Sequence, residues 1–374
     1  MFSKRLEFVE ESGIRKMFNQ VGELKDVIDL TLGQPDFKIN DEIKAEACRA
    51  ILNEKNRYTA TNGILGLREM LYEKKKQEGW TIDLENLFVT SGTSGAIFLS
   101  FNTLLEQGDE VIITEPYYNE YKNLTYLCDA KPVFVNIYPE FTLTADKIKD
   151  KITSKTKLIV LNSPANPTGK IINKEEIIKI VELSKKHNIY VIVDLIYKDF
   201  LYIDKEIFPT EITEDYSNLI IIEGFSKTFS MTGWRLGYVV TNKNVIQQFT
   251  KIQQYTFLCA PSPFQYAGIK ALEIGVNPNM SQEYMEKKNI VMELLSPYFQ
   301  ITDPEGAFYC FPKMPIGSAS EFAKFCATDG GIMIVPGTAF SQYDTNFRLS
   351  FATDNINLIN GCKRLIRKIT AFQK

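Results

Sequence analysis

The sequence contains a single histidine, His187, among 374 residues. Serine–histidine–aspartate and cysteine–histidine catalytic groups both need a histidine beside the nucleophile, so the sequence argues against both. The stretch SKKH puts His187 at the end of a lysine-rich helix, where a charge that favours a helix C-terminus is the simplest interpretation. Proton transfer in any active site of this chain is therefore expected from lysine, tyrosine, aspartate or glutamate.

Motifs of cysteine chemistry and long apolar runs are also missing. None of the six cysteines belongs to a C-x-x-C pair, which argues against zinc and thiol–disulfide motifs, and no metal site is expected. No apolar run reaches the roughly 18 residues that span a bilayer, and the charged N-terminal stretch lacks the apolar centre of a signal peptide. A net charge of −3 gives no reason to expect a nucleic-acid or membrane partner. We expect a cytoplasmic protein with buried or inert thiols.

Short apolar runs alternate with helical stretches beyond about residue 85, which is the pattern of a largely parallel sheet covered by helices. The chain is longer than one hydrophobic core usually allows, so two domains are expected. The runs predicted as strands are 87–90, 110–114, 157–161, 189–193, 219–222 and 238–241. Their richness in valine and isoleucine predicts strands that are buried on both faces.

Two of the predicted helices have recognisable starts. One begins behind the glycine-containing turn near Thr93, and the other follows Asn173, where Glu176 three positions later suggests a capping box. From Ser320 onward, helical patterns mix with an alternating strand at 346–352. This change predicts a smaller α+β domain beside the sheet.

Polar and aromatic side chains follow the predicted strands, at the edge where open α/β sheets bind ligands. The turn Gly92-Thr93-Ser94 at a helix start is suited to a phosphate, although such sequences are commonly plain turns. Asp194 follows a buried strand, where a carboxylate needs a cation or hydrogen-bond donors to compensate its burial. Its ordinary interpretation is the N-cap of a helix. Lys227 and Tyr118 have ordinary interpretations as a solvated lysine and a packed ring. Considered one by one, these residues leave the ligand open.

Taken in order, several motifs resemble the fold-type I aminotransferases of class I and II. GFSKTFSMTGWRLGY at 224–238 resembles the cofactor-lysine signature of that family. Further matches are LGQPDF at 32–37, YTATNGILGLRE at 58–69, NSPANPTGK at 162–170, Asp194 with Tyr197, and FRLSFA at 347–352. The resemblance implies an α/β fold in which a large domain, residues 40–265, holds a mostly parallel seven-stranded sheet flanked by helices. A smaller α+β domain would combine residues 1–39 and 266–374.

The resemblance also implies the cofactor, pyridoxal 5′-phosphate (PLP), and a role for each matching residue. Lys227 is expected to hold PLP as a Schiff base and to move a proton, and Asp194 to keep the pyridine nitrogen protonated. Tyr197 and Asn166 are expected to hydrogen-bond the phenolate oxygen, and Arg235 to clamp the phosphate. The remaining cofactor-binding positions are Gly92, Thr93, Ser94, Tyr118, Ser226 and Tyr58, the last of which would reach the neighbouring subunit of a homodimer.

Arg348 is the residue whose two interpretations differ most. It lies on the alternating strand, on the face opposite Phe347 and Leu349, and the sequence alone favours a solvated charge on an edge strand. The resemblance assigns it instead to the α-carboxylate of the substrate. Gly33 and Asn166 would complete the substrate-binding residues.

The activity implied by the resemblance is transfer of an amino group from an L-amino acid to a 2-oxo acid, through Schiff-base and pyridoxamine phosphate forms of the cofactor. A PLP-dependent C–S β-lyase on the same fold stays open as the alternative, because it uses the same lysine, aspartate and arginine. A ligand-sensing regulator is disfavoured, since a DNA-binding helix-turn-helix has no room ahead of LGQPDF and no basic patch is present. The turn at 91–95 is not the G-x-G-x-x-G of a nucleotide-binding sheet.

Three positions depart from the pattern of the family. Gly224 stands where many relatives have a hydroxyl that donates to the phosphate, and Ser341 stands where glycine is common. Ser94 replaces a lysine that reads the distal carboxylate in some aspartate-specific relatives. Because serine cannot pair with that charge, aspartate is not expected to be the preferred donor unless another cation takes this role. The donor itself stays open, and residues 14–18, Tyr117 and 257–263 are the candidate specificity segments.

Overall fold

The computed structural model describes residues 2–10, 26–204 and 207–372, so the candidate specificity segment 14–18 lies outside the described residues. The strands are β1 (Ile28–Asp29), β2 (Leu87–Thr90), β3 (Glu110–Glu115), β4 (Lys131–Asn136), β5 (Thr156–Asn162), β6 (Tyr190–Asp194), β7 (Leu219–Gly224), β8 (Gly237–Thr241), β9 (Tyr309–Cys310), β10 (Ile332–Met333), β11 (Val335–Pro336) and β12 (Phe347–Ser350). The α-helices are α1 (Asp41–Leu52), α2 (Leu65–Gln77), α3 (Gly92–Leu104), α4 (Asn119–Leu127), α5 (Ala145–Lys149), α6 (Lys174–Lys186), α7 (Lys243–Gln254), α8 (Ser262–Ile274), α9 (Met280–Leu295), α10 (Ala319–Gly330) and α11 (Asn355–Phe372).

A seven-stranded sheet organises the larger part of the structure, in the order β2-β8-β7-β6-β5-β3-β4. β4, β3, β5, β6 and β7 run parallel, whereas β8 pairs antiparallel with both β7 and β2. The predicted α/β class with a mostly parallel sheet is confirmed, and each predicted strand is present with ends displaced by at most two residues. β4 was not predicted, because Pro132 and the exposed Lys131 and Asn136 interrupt its apolar pattern. Proline is tolerated there because β4 is an edge strand.

Alternate residues of the central strands enter hydrophobic cores on opposite faces of the sheet. In β6, Val191 and Val193 belong to one core and Ile192 to the other. Ile177 and Ile180 of α6 cover the first face, and Ile97 of α3 covers the second. The prediction that these strands are buried on both faces is therefore confirmed. In the part of the chain that the structure describes, no helix combines the length and apolar character needed to cross a membrane.

The start of α6 differs from the predicted capping box. Asn173 is the N-cap residue, but its side chain accepts no capping hydrogen bond. The Glu176 carboxylate instead accepts a hydrogen bond from the Ala145 backbone N–H at 2.6 Å, at the beginning of α5. The prediction was wrong because a neighbouring helix competes for the glutamate. His187 is the C-cap residue of the same helix, as expected.

All six thiols are free, and their environments differ. Cys310, Cys326 and Cys362 are buried, as expected. Cys48 is exposed, so for this thiol the expectation of a buried or inert group can hold only as inertness, which stays a prediction. It lies on α1, whose buried side consists of Ile43, Ala47 and Ala50, so its thiol faces solvent.

The C-terminal part of the chain forms a second group of elements. β9, β11 and β12 make an antiparallel three-stranded sheet, and β1 from the N-terminal segment pairs parallel with β10. A separate core joins Leu30 near the N-terminus to Phe322 of α10 and Leu365 of α11. The predicted domain boundary at residue 265 falls within α8, so this division stays a prediction.

Candidate active site

A cavity of about 220 Å³ lies at the carboxyl ends of β5, β6 and β7. Parallel strands end at the same edge of a sheet, so side chains far apart in sequence meet there. The predicted site residues that line the cavity are Gly33, Thr93, Ser94, Tyr118, Asn166, Asp194, Tyr197, Ser226, Lys227, Arg235 and Arg348. Its other lining residues are Tyr121, Asn162, Ile196, Thr232 and Tyr309.

The amine of Lys227 enters the cavity from the turn that follows β7. Its Nζ donates a hydrogen bond to the Gly33 carbonyl oxygen at 2.5 Å. Burial, followed by the positive charges of Arg348 and Arg235, lowers the pKa of Lys227 to about 8. A substantial fraction of such an amine is neutral near physiological pH, as a nucleophile or proton acceptor must be.

The carboxylate of Asp194 lies at the end of β6, and the residue is only 3% exposed. The Tyr121 hydroxyl donates to Oδ2 at 2.7 Å, and the Ile196 backbone N–H donates to Oδ1 at 3.1 Å. Burial nevertheless raises the pKa of Asp194 to about 6. Asp194 is followed by a turn and not by an α-helix, so the alternative interpretation as a helix cap is wrong. A cationic group of a ligand would stabilise this buried carboxylate.

One wall of the cavity is aromatic and has a carboxylate behind it. The rings of Tyr118 and Tyr121 meet edge-to-face, with centroids 5.5 Å apart and planes at 85°. The Ser94 hydroxyl donates a hydrogen bond to Oε2 of Glu120 at 3.0 Å. Burial raises the pKa of Glu120. Glu120 was not predicted from the sequence. It places an acidic group at the position where a substrate with a second carboxylate would need a cation.

Another end of the cavity is suited to an anion. Gly92, at the start of α3, has a φ of +72°, and a Cβ there would lie 2.5 Å from Nη2 of Arg235. Arg235 is fixed by a hydrogen bond from Nη1 to the Thr232 carbonyl oxygen at 3.0 Å. The glycine therefore lets a guanidinium approach a helix N-terminus, and both attract phosphate-like groups.

Arg348 is buried, with 1% exposure, which contradicts the interpretation as a solvated edge-strand charge. Its strand, β12, is the central strand of the three-stranded sheet. Nη1 donates to Oδ1 of Asn166 at 3.1 Å, and Nη2 donates to the Thr31 carbonyl oxygen at 2.5 Å. The guanidinium carbon lies 4.6 Å from the ring centroid of Tyr309 and 4.8 Å from that of Phe340. Nε has no partner among the described residues, so the group retains a free donor.

Several predicted positions lie outside the cavity. Tyr58 is 79% exposed, so its predicted contact with a neighbouring subunit stays a prediction. Tyr117 packs against Phe134, with ring centroids 4.9 Å apart, and does not line the cavity. Residues 257–263 do not line it either.

Two tyrosines of the cavity were missed for different reasons. Tyr121 lies three residues after Tyr118, a spacing that brings both to one side of a helix and that would have allowed its prediction. Tyr309 lies in the two-residue strand β9 and is 112 residues from its hydrogen-bond partner Tyr197. No local sequence pattern indicates such a contact.

Comparisons with known proteins agree with one another. The family model described as "Aminotransferase class I and II" matches residues 25–365. A probable aspartate aminotransferase of Methanocaldococcus jannaschii is 36% identical, over 94% of this chain and 96% of the relative. A probable N-acetyl-LL-diaminopimelate aminotransferase of Bacillus subtilis is 39% identical, over 96% of this chain and 93% of the relative. The crystal structure of an aspartate aminotransferase from Thermotoga maritima superposes with a TM-score of 0.93 at 32% identity and covers both chains completely (100% of each).

Proposed function

This chain belongs to the class I and II aminotransferase family, and we propose that Lys227, Asp194 and Arg348 carry its reaction. The protein is a PLP-dependent aminotransferase, which moves an amino group from an L-amino acid to a 2-oxo acid. When bound, PLP supplies an aldehyde carbon that takes up the amino group and a ring that draws electrons from the donor. The observation behind the residue assignment is that a buried amine, carboxylate and guanidinium line one cavity.

The polar groups of the cavity fit this cofactor. Asp194 is a buried carboxylate, and a protonated ring nitrogen would supply the cation that its burial calls for. Arg235 and the start of α3 would hold the phosphate, assisted by the hydroxyls of Thr93 and Ser226. Tyr118 would stack on the ring. Ser94 is a weaker candidate for the phosphate than the sequence suggested, because its hydroxyl already donates to a carboxylate.

Lys227 is the group that moves the proton. Its Nζ has a carbonyl oxygen as its hydrogen-bond partner, and a pKa of about 8 leaves a neutral fraction that can take a proton from the donor's Cα. The protonated amine would then give this proton to the C4′ atom of the cofactor, and in the second half of the reaction it would carry a proton from C4′ to the Cα of the acceptor. Asp194 would favour this step, because its carboxylate would stabilise a positive charge on the ring nitrogen.

Asn166 and Tyr197 would hold the ring oxygen. Asn166 accepts a hydrogen bond from Arg348 through Oδ1, which leaves the N–H groups of its amide to donate into the cavity. The Tyr197 hydroxyl lies 2.9 Å from the Tyr309 hydroxyl and can donate in turn. These donors would stabilise the oxygen as an anion.

Arg348 would bind the α-carboxylate of the substrate. A guanidinium has five N–H donors, and two hydrogen bonds leave others for a carboxylate. The flanking rings of Tyr309 and Phe340 hold the group in place and exclude water. Gly33 lines the same cavity.

Assembly, domain division and location complete the proposal. We propose a homodimer in which Tyr58 reaches the phosphate of the neighbouring site. Its support is the exposure of Tyr58 on a segment that is held in place, since Ser262 donates to the Arg57 carbonyl oxygen at 2.7 Å. We also propose a large domain at 40–265, with the remaining residues in the small domain. The six free thiols support a cytoplasmic location.

Trapping the cofactor tests the assignment of the lysine. PLP is added to the purified protein, the adduct is reduced with borohydride, and the modified peptide is expected to contain Lys227. Lys227→Arg should give no adduct in the cavity, whereas Lys76→Arg, at a lysine on α2, is the matched control and should label normally. Labelling elsewhere in the parent protein would contradict the proposal.

The products separate transfer from elimination. With an amino acid and a 2-oxo acid, transfer gives a new amino acid, whereas a C–S β-lyase acting on a cysteine conjugate gives ammonia and pyruvate. Chromatography of amino acids and an ammonia assay on the same sample distinguish the two reactions. We expect the new amino acid to account for the consumed donor.

A further inference from the structure

Tyr309 lies between the two groups of residues that would hold cofactor and substrate. It belongs to β9, whose antiparallel pairing places it opposite Ser350 of β12, two residues beyond Arg348. The side chain is fully buried and lines the cavity. The reaction described above uses Tyr197 and Arg348 and gives Tyr309 itself no role beyond contact with them.

The hydroxyl of Tyr309 meets the hydroxyl of Tyr197 at 2.9 Å, and the two rings pack edge-to-face with centroids 5.6 Å apart. Either oxygen can be the donor of this hydrogen bond. Because Tyr197 would donate its own proton to the ring oxygen of the cofactor, Tyr309 becomes the donor of the pair. A hydroxyl that accepts one hydrogen bond donates the next more strongly.

The ring of Tyr309 contacts the guanidinium of Arg348, with the ring centroid 4.6 Å from the guanidinium carbon. Stacking on a ring restricts the orientation of the planar group. A Cβ on Gly33 would lie 2.7 Å from the Tyr309 hydroxyl oxygen, so glycine is needed at position 33 to admit this side chain. The Gly33 carbonyl oxygen also accepts the hydrogen bond from Lys227. Tyr309 therefore contacts Tyr197, which would face the cofactor, and Arg348, which would face the substrate. It also lies against Gly33, whose carbonyl oxygen holds the amine of Lys227.

We propose that Tyr309 is a positioning residue that orients Tyr197 through its hydroxyl and Arg348 through its ring. The Tyr309 side chain then fixes the position of Tyr197, which would face the cofactor, relative to Arg348, which would face the substrate's carboxylate. The inference rests on the proposed function, because it takes Tyr197 and Arg348 to be the residues that make those contacts.

Tyr309→Phe tests the hydroxyl, because it keeps the ring. The visible absorption of the holoenzyme is titrated with pH. Without its donor, Tyr197 stabilises the anionic ring oxygen less well, so the apparent pKa of the bound chromophore should rise by a few tenths of a unit to about one unit. In a Tyr197→Phe background the same substitution should add nothing, since Tyr309 acts through Tyr197.

Tyr202→Phe is the matched control. Tyr202 is a partly buried tyrosine whose hydroxyl donates to the Ala307 carbonyl oxygen, and it does not line the cavity. Its titration should equal that of the parent. A Tyr309→Phe enzyme that titrates like the parent, or a rise in pKa that persists without the Tyr197 hydroxyl, would overturn the proposal.

The ring is tested by the binding of an unreactive carboxylate, 3-phenylpropionate or succinate, whichever the parent binds. Tyr309→Phe should bind it like the parent, whereas Tyr309→Leu should bind it about 2- to 30-fold more weakly, because stacking on Arg348 is lost. Equal binding by a folded Tyr309→Leu protein would refute this part, and the titration of Tyr309→Phe decides the first part independently. If the parent takes up no PLP, the proposed function fails. If the parent takes up PLP and its visible absorption titrates with pH, but the Tyr309 variants give the same titration and the same carboxylate binding, only the role of Tyr309 fails.

Discussion

Asp194→Asn is expected to stabilise the apoprotein and, at the same time, to weaken its hold on PLP. The folded apoprotein keeps the Asp194 proton up to a pKa of about 6, because burial disfavours the charged form, whereas an unfolded chain releases it near 3.8. The folded state therefore binds more protons than the unfolded state between these values, and stability falls as the pH rises through them. At about 1.36 kcal/mol for each pKa unit, the loss approaches about 3 kcal/mol at pH 8 and is about half of that at pH 5.

Asparagine at position 194 removes this loss of folding stability, because it has no charge to desolvate and has a similar shape beside Tyr121 and Ile196. Urea unfolding of the apoproteins should show the variant more stable than the parent, by about 3 kcal/mol at pH 8 and by roughly half as much at pH 5. Asp150→Asn, at an exposed carboxylate, is the matched control for the removal of one charge. A variant that is no more stable than the parent at pH 8, or equally stabilised at both pH values, would refute the reasoning. Added PLP should raise the melting temperature of the parent much more than that of the variant.

Three further predictions concern activity. Lys227→Arg should lower the rate of transfer by about 10²- to 10⁴-fold, measured in single-turnover reactions, because the proton acceptor at the donor's Cα is lost; a rate near that of the parent would remove this lysine from the mechanism. Arg348→Lys should raise the KM for the amino donor by about 10- to 100-fold, because a point charge replaces a planar group that pairs with the α-carboxylate through two hydrogen bonds; an unchanged KM in steady-state kinetics would contradict the assignment. Aspartate should have a lower kcat/KM than an uncharged donor, since Ser94 binds the buried Glu120 and offers no cation to a second carboxylate; a clear preference for aspartate in a donor screen would show this to be wrong.

The fold and most of the cavity could be predicted because their signals are local. In the seven-stranded sheet, strands buried on both faces appear as short valine- and isoleucine-rich runs, and the pattern missed the edge strand β4, where Pro132 interrupts it. The two-residue strands β1, β9, β10 and β11 were not predicted either, because so short a segment has no periodicity to recognise. The turn that contains Lys227 and the end of β6 at Asp194 follow such runs directly, so their convergence at one edge of the sheet could be inferred. The assignment of roles to these residues came from the family resemblance, since each of them alone allowed an ordinary structural interpretation.

The sequence by itself determined six strands of the central sheet, the residues that follow them, and the scarcity of histidine that leaves proton transfer to other side chains. Tertiary structure alone decided that Arg348 is buried, with hydrogen-bond partners 182 and 317 residues away. It also decided that the Ser94 hydroxyl donates its hydrogen bond to Glu120. It also decided the contact of Tyr309 with Tyr197, across 112 residues. The physical reason is that periodicity and turn chemistry report interactions within a few residues, whereas burial, pKa and hydrogen bonding in the cavity depend on which distant segments pack together.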